Sequence, residues 1–120
     1  MHNFKELKIW QNGRQFVKDT YQLTYSFPKE ELFGLTQQMR RASVSIPSNI
    51  AEGCGRNTDK QLIHFLDIAV GSAYELETQI ILASDLDYIS EQKMAEMTNF
   101  LRNLQQMIIS FKLKLESNLK

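Results

Sequence analysis

Histidine and carboxylate side chains at helical spacing are the groups in this chain that could hold a metal ion. His64 and Asp67 lie three residues apart, and a helix would place them on one face. A di-iron centre in a helical bundle needs Glu-x-x-His on two helices and two further glutamates. Here the order is reversed, and the only other histidine is His2. The pattern therefore predicts no metal and no cofactor, and it indicates a surface or interfacial histidine.

The single cysteine is the next candidate for chemistry. Cys54 lies between Gly53 and Gly55, and Arg56 follows closely enough to lower the pKa of its thiol. No histidine is near in sequence to act as a base, and the run lacks the Lys-Ser/Thr of a phosphate-binding loop. We therefore predict that the protein is not an enzyme. A lone cysteine cannot form an internal disulfide, and the first residues show no secretion signal, so we expect a cytoplasmic protein.

Charge is unevenly distributed along a chain whose formal net charge is zero. Residues 1–51 carry 7 basic and 4 acidic side chains, residues 52–96 carry 3 and 9, and residues 97–120 carry 4 and 1. This asymmetry predicts either docking between subunits or a phosphate-facing surface that includes Arg40, Arg41 and Arg56. Solvated helix faces with local ion pairs are the alternative. The neutral total argues against a dedicated polyanion binder.

Four helical segments must position these residues. The length of 120 residues predicts one domain, residues 1–120. The first segment covers residues 4–26 and the second 29–52, while the third begins at Thr58 or Asp59 and the fourth at Ser90. No stretch alternates like a strand, and none is apolar enough to cross a membrane. We expect an all-α protein, an antiparallel up-down-up-down four-helix bundle.

Apolar side chains recur every three or four residues in each segment and predict its core face. In the first segment the expected core stripe is Leu7, Trp10, Val17 and Tyr21, with Ile9, Phe16 and Leu23 beside it. The other stripes are Leu32, Leu35, Met39, Ala42, Ile46 and Ile50; Leu62, Phe65 or Leu66, Ala69, Ala73, Leu76, Ile80 and Ala83; and Met97, Leu101, Leu104, Ile108, Phe111 and Leu115. Ile109 and Leu113 widen the last stripe, which could then contact another subunit.

Pro47 interrupts the second segment, where it removes one backbone hydrogen bond and crowds the carbonyl of Ser43. The apolar stripe nevertheless continues past it. Six residues after Pro47 are too few for a separate helix. We therefore expect one long helix with a kink at Pro47, in which Ser43 and Ser45 satisfy freed backbone groups.

Two glycines carry specific expectations. Gly53 is the expected stop of the second helix. Gly71, with Ser72 beside it, costs helix stability, and close packing against a neighbouring helix would compensate. We therefore expect the middle of the third helix to be narrow and to lie close to another helix.

The run from residue 27 to residue 56, FPKEELFGLTQQMRRASVSIPSNIAEGCGR, resembles a known family. Leu7-Lys-Ile-Trp10 before it, and the runs at residues 65–72, 74–77 and 86–89 after it, extend the match. The chain is similar to the four-helix-bundle proteins encoded by intervening sequences in bacterial 23S ribosomal RNA genes. The resemblance implies a left-handed bundle that assembles into a ring, typically a pentamer.

That family includes the accessory variability determinants of diversity-generating retroelements, which associate with a reverse transcriptase and bind nucleic acid through basic surfaces. By resemblance, Arg40, Arg41 and Arg56 are the residues to test for such a role, although those accessories are basic and this chain is neutral. Structural roles are equally open: Glu52 and the arginines could pair between subunits, and Asn49 could cap or bridge the Pro47 kink.

These observations lead to one expected function and two alternatives. We expect a non-catalytic homo-oligomer that acts as an adaptor for RNA or another nucleic acid, through a basic rim on the ring. The first alternative is a protein–protein interaction scaffold with no nucleic-acid role. A bundle that binds a small molecule or a metal is the second.

Overall fold

The computed structural model describes residues 2–119 and contains four α-helices. They are α1 (Lys8–Thr24), α2 (Leu35–Cys54), α3 (Asp59–Asp85) and α4 (Glu91–Asn118). Single 3₁₀ turns at Phe4–Glu6 and Lys29–Glu31 precede α1 and α2. Within residues 2–119 there is no β-strand, so the all-α prediction is confirmed. The same residues contain no helix long and apolar enough to cross a membrane.

The helices pack in chain order into an elongated body of 48 × 23 × 20 Å. Successive helices pack along their length, whereas α1 and α4 meet at fewer points, which include Phe16 against Phe100 (ring centroids 5.5 Å apart). The predicted stripes of α3 and α4 are confirmed, with Leu66 rather than Phe65 in the core and with Phe111 only partly buried. In α2, Met39, Ala42, Ile46 and Ile50 are buried as predicted.

The predicted main core stripe of α1 is wrong, whereas Ile9 and Phe16 of the stripe beside it are buried as predicted. Tyr21 is exposed, and Leu7, Trp10 and Val17 are only partly buried. The buried residues of this helix are Ile9, Gly13, Phe16, Thr20 and Thr24. The hydroxyls of Thr20 and Thr24 donate to the carbonyls of Phe16 (2.8 Å) and Thr20 (2.9 Å). Because each hydroxyl finds a partner in the preceding turn, two polar residues can face the core.

The start of α2 also differs from the prediction. The segment from residue 29 is not continuous helix, because Gly34 adopts a non-helical backbone conformation and α2 begins at Leu35. Glu31 caps this start: its Oε1 accepts the Leu35 N–H at 3.1 Å. Leu32 lies before the break and is 49% exposed, so it does not belong to the core stripe.

Pro47 is buried inside α2, and the helix continues past it to Cys54. Asn49 spans the proline, since its Nδ2 donates to the Ser45 carbonyl (2.8 Å) and to Ser45 Oγ (2.9 Å). The Ser43 hydroxyl donates to the Arg40 carbonyl at 2.8 Å. The polar side chains around Pro47 therefore bond to the backbone of the preceding turn.

The two glycines do not have their predicted roles, although the middle of α3 lies close to α2 as expected. Gly53 does not stop α2, which ends one residue later at Cys54. A Cβ at position 53 would lie 2.8 Å from Leu62 Cδ1 and 2.9 Å from Phe65 Cβ, so glycine is there because α3 passes too close. Gly71 is exposed on α3, and a Cβ there would have no atom within 4 Å. Gly71 therefore packs against no other helix of its own chain.

Both predicted caps in the second half of the chain are confirmed. Thr58 Oγ1 accepts the Gln61 N–H at 3.2 Å, and Ser90 Oγ accepts the Lys93 N–H at 3.0 Å. These bonds fix where α3 and α4 begin.

A hydrogen bond from Tyr88 joins the connection between α3 and α4 to the start of α2. Tyr88 Oη donates to Glu31 Oε2 at 2.6 Å, while Glu31 Oε1 caps Leu35. This bond holds the pKa of Glu31 below its ordinary value of 4.5, and the same contact raises the pKa of Tyr88 above 10.0. One carboxylate thus links two connections at the same end of the bundle.

Gly53→Ala should destabilise the protein. The added methyl would meet Leu62 and Phe65 at less than 3.0 Å, and such overpacking costs about 1–3 kcal/mol. Gly13→Ala is the matched control, because Gly13 is also buried in a helix but its Cβ would lie at ordinary contact distance, 3.5 Å from Ile46 and Pro47. The free energy of unfolding of Gly13→Ala should rise by up to about 1 kcal/mol, because alanine stabilises a helix interior more than glycine does. Urea unfolding measures both, and equal effects would contradict the packing explanation.

Tyr88→Phe should change the pH dependence of stability. A lowered pKa in the folded state means that Glu31 contributes stability above pH 4.5 and loses it as pH falls through its folded pKa. The raised pKa of Tyr88 gives stability below pH 10.0 that is lost as pH rises further. The gap in unfolding free energy between wild type and Tyr88→Phe should therefore be widest near neutral pH and narrow towards both extremes. Tyr25→Phe, at an exposed tyrosine, is the control and should show no such gap.

Candidate functional site

Arg40 is docked against α1. Its Nε donates to Thr24 Oγ1 at 2.9 Å, and its guanidinium carbon lies 4.7 Å from the centre of the Tyr21 ring. A hydrogen bond and a cation–π contact together hold the side chain in one orientation. Within residues 2–119 no carboxylate lies within ion-pair distance of Arg40.

Arg41 is exposed and faces the side of α2 that is next to α3. It lines a shallow groove with Ser45, Ser72 and Glu75. Among the residues that the structure describes, none forms an ion pair with Arg41. Its charge is therefore available to a partner outside the chain.

Arg56 follows the end of α2 and pairs within its own chain. Its Nη2 lies 3.0 Å from Glu52 Oε1, and its guanidinium carbon is 4.8 Å from the centre of the Phe65 ring. The pair is exposed, so its contribution to stability is small. Glu52, expected to pair between subunits, has an arginine partner one helical turn away.

The three arginines do not form one cluster. Arg41 and Cys54 are 13 residues apart in α2, which at 1.5 Å per residue places them about 20 Å apart. Arg56 lies beyond that point, while Arg40 and Arg41 project from adjacent positions in different directions. A shared surface would need more than one copy of the chain.

Ion pairs between α3 and α4 join some of the acidic side chains of α3 to basic side chains of α4. Lys112 Nζ lies 2.6 Å from Asp67 Oδ1, and Arg102 Nη2 lies 3.1 Å from Glu77 Oε2. Gln105 Nε2 also donates to Glu77, and this hydrogen bond is the main reason why the pKa of Glu77 is lowered. The acidic third helix is thus partly neutralised by the basic fourth helix, whereas Arg41 in the first half of the chain is not.

Serine side chains join α2 and α3 in the groove beside Arg41. Ser45 Oγ and Ser72 Oγ share a hydrogen bond of 2.8 Å, and Asn49 donates to the same Ser45 oxygen. This hydrogen bond shows how Ser72, predicted to lie where α3 meets another helix, contributes to the packing. The contact is with α2 and is made by the serine, while Gly71 beside it points outward.

The outer face of α3 carries apolar side chains around Gly71. Tyr74 is 52% exposed, and Leu82 lies two turns further along the same side. Tyr25 (87%) and Phe33 (84%) are even more exposed, near the two ends of the connection between α1 and α2. Large apolar side chains at these exposures are candidates for an interface.

The groups considered for catalysis are not brought together. His64 is exposed and packs edge-on against Phe65, whereas Asp67 binds Lys112. Cys54 is 3% exposed, and burial raises the pKa of its thiol, so the expected lowering by Arg56 is wrong. Within residues 2–119 no three His, Cys, Asp or Glu side chains are placed to hold a metal ion.

Sequence reasoning missed the residues that hold Arg40. Tyr21 was assigned to the core, and Thr24 had no assigned role. The spacing of Tyr21 and Thr24, three residues apart on one face of α1, was the available signal. This spacing alone does not identify the two residues as partners of Arg40, because the sequence does not show which face of α1 meets α2.

The comparisons with known proteins agree with this fold. The family described as 23S rRNA-intervening sequence protein matches residues 5–110. A solved structure of a protein of unknown function, from the S23 ribosomal protein family of Bacteroides thetaiotaomicron, is similar to this chain with a TM-score of 0.79. The two chains are 21% identical, over 87% of this chain and 94% of that chain, and the likeness at that identity shows the fold alone. No curated protein matches the chain. Because the family match covers most of the sequence, the chain belongs to the 23S rRNA-intervening sequence protein family.

Proposed function

We propose that this chain is a non-catalytic four-helix bundle, antiparallel in up-down-up-down order, that assembles into a ring-like homo-oligomer and acts as a nucleic-acid-associated adaptor. The expected ring is a pentamer in which α2 bends at Pro47. A basic surface on the ring contacts RNA or another nucleic acid. The observation that carries this proposal is the combination of an apolar outer face on α3 with an arginine, Arg41, that forms no ion pair with a carboxylate of residues 2–119.

The outer face of α3 supports self-assembly. Gly71 has open space where a side chain would be, and Tyr74, one turn away, is 52% exposed. Leu82 is 44% exposed and lies three turns from Gly71, about 16 Å along the same helix. A second copy that packs on this face would cover the two side chains and could approach the backbone at Gly71 closely. The same contact would compensate for the helix stability that Gly71 costs, since no packing within its own chain does so.

The position of Arg41 supports a basic rim. One arginine per chain is a weak anion site, but a closed ring repeats it once per subunit. Repeated cations on one face raise the affinity for a polyanion and make that affinity fall steeply with salt. Arg56 contributes less to this surface because Glu52 pairs with it, and Arg40 contributes less because it is docked against α1, away from the groove beside α3.

A protein–protein scaffold with no nucleic-acid role is the second candidate. The exposed Tyr25 and Phe33 favour it, since both flank one connection at an end of the bundle and neither lies on the outer face of α3. The two candidates differ in what they require of Arg41: the adaptor needs its charge, and the scaffold does not.

Self-assembly is tested by the mass of the particle. Sedimentation of the full chain at micromolar concentration should give a multiple of 14.0 kDa, with five copies expected. Tyr74→Glu should shift the mass towards the monomer, because a buried carboxylate without a partner destabilises an interface strongly. Gln92→Glu, on an exposed position in the first turn of α4, is the control and should leave the mass unchanged. A well-folded wild-type monomer would reject the ring.

Nucleic-acid binding is tested by an electrophoretic shift with structured RNA at low and moderate salt. Wild-type affinity should fall steeply as salt rises, and Arg41→Ala should weaken binding and reduce the salt slope by about 1 for each copy of Arg41 in contact with phosphate. Lys114→Ala removes the same charge from an exposed position on α4 and serves as the control. No binding at low salt, or an equal loss in the control, would favour the scaffold.

A further inference from the structure

A small cavity lies between the end of α1 and the start of α2, beside the turn at Phe27-Pro28. Its volume is about 260 Å³, and its polar lining residues include Thr24, Lys29, Thr36 and Arg40. It therefore combines two cations and two hydroxyl groups. The residues that line it all belong to one chain, so it does not depend on assembly.

Thr36 is the first sign that the cavity is a binding site. The residue is 3% exposed, and its hydroxyl oxygen has no hydrogen-bond partner. A buried hydroxyl without a partner lowers stability, and most buried polar groups in folded proteins avoid this state. A ligand in the cavity could supply the missing partner.

Arg40 is the second sign, because its side chain is already in place. The bond from its Nε to Thr24 and the contact with the Tyr21 ring fix the guanidinium, while its two terminal nitrogens have no partner among residues 2–119. A fixed guanidinium with free terminal nitrogens matches the oxygens of a phosphate or carboxylate group.

The start of α2 adds a further donor. Thr36 is the second residue of this 20-residue helix, and its backbone N–H has no acceptor within the described part of the chain. The acidic group at this helix start, Glu31, is occupied by the Leu35 N–H and the Tyr88 hydroxyl and does not line the cavity. Thr36 and Arg40 are four residues apart, so they lie on the same face of the helix.

We propose that this cavity binds the phosphate group of a small organic phosphate monoester. A guanidinium, an ammonium from Lys29, a hydroxyl and a backbone N–H match the several oxygens and double charge of a monoester better than the single charge of a carboxylate. Phe27, Pro28 and Leu32 provide an apolar wall for the organic part. The volume is below the range of about 300–1,000 Å³ for drug-sized ligands, so the organic part is small. The proposal goes beyond the adaptor function and does not rest on it.

The test is a titration of the full chain, labelled with ¹⁵N, at constant ionic strength. The probes are phenyl phosphate as a monoester with a small apolar group, inorganic phosphate, and dimethyl phosphate as a diester. Phenyl phosphate should shift the Thr36 amide signal saturably and bind at least about threefold more tightly than the other two. The absence of a saturable shift, equal affinity for inorganic phosphate, or tighter binding of the diester would each overturn the proposal.

Two variants identify the cavity as the binding site. Thr36→Val keeps the shape of the side chain and removes the hydroxyl, so the unliganded protein should unfold at a higher temperature while affinity for phenyl phosphate falls about tenfold. Arg40→Gln should lose at least as much affinity, and Arg41→Gln, one residue away but outside the cavity, should lose less than about twofold. Unchanged affinity in Thr36→Val would overturn the proposal, since a purely structural hydroxyl would alter stability alone. These measurements do not involve RNA or particle mass, so their failure would leave the adaptor proposal untouched.

Discussion

The close approach of α2 and α3 is the contact on which the rest of the bundle depends. These two helices share the most extensive interface of the chain, and small residues make it possible. Gly53 leaves room for Leu62 and Phe65, and the alanines at positions 69 and 73 are fully buried at the centre. The serines at positions 45 and 72 are near enough to share a hydrogen bond. Because α1 packs on α2 and α4 packs on α3, this interface is the main contact between the two halves of the protein, with a smaller contribution from α1 against α4.

Arginine placement follows from the same geometry. Arg40 lies on the side of α2 that meets α1, Arg41 faces towards α3, and Arg56 comes after the helix has ended. Three residues that look equivalent in a list of basic side chains therefore have three different surroundings. The first is fixed and open to an anion, the second is exposed, and the third is neutralised by Glu52. The contact of Arg40 with α1 and the direction of Arg41 follow only from the packing of the helices, whereas Glu52 lies four residues before Arg56 in the sequence.

The buried face of a helix could be predicted from the sequence where its buried side chains are apolar, and not where they are polar or glycine. The stripes of α3 and α4 could be predicted from spacing, because most of their buried positions are apolar, the exceptions being Gln79, Thr98 and Gln105. In α1 the buried face includes Gly13, Thr20 and Thr24, whose types hide the helical period. The start of α2 depends on Glu31, a carboxylate that looks like an ordinary favourable charge near a helix start but forms a specific cap. The cavity with Thr36 could not be foreseen at all, since an unpaired hydroxyl is a property of packing.

The link from Tyr88 through Glu31 to Leu35 has a consequence for how the molecule opens. Helix ends normally fray independently, each according to its own hydrogen bonds. Here one carboxylate serves both the first turn of α2, through Oε1, and a connection 57 residues away in the chain, through Oε2, so the two depend on the same side-chain orientation. Each bond restricts the carboxylate for the other, which favours joint opening of two stretches that are distant in sequence.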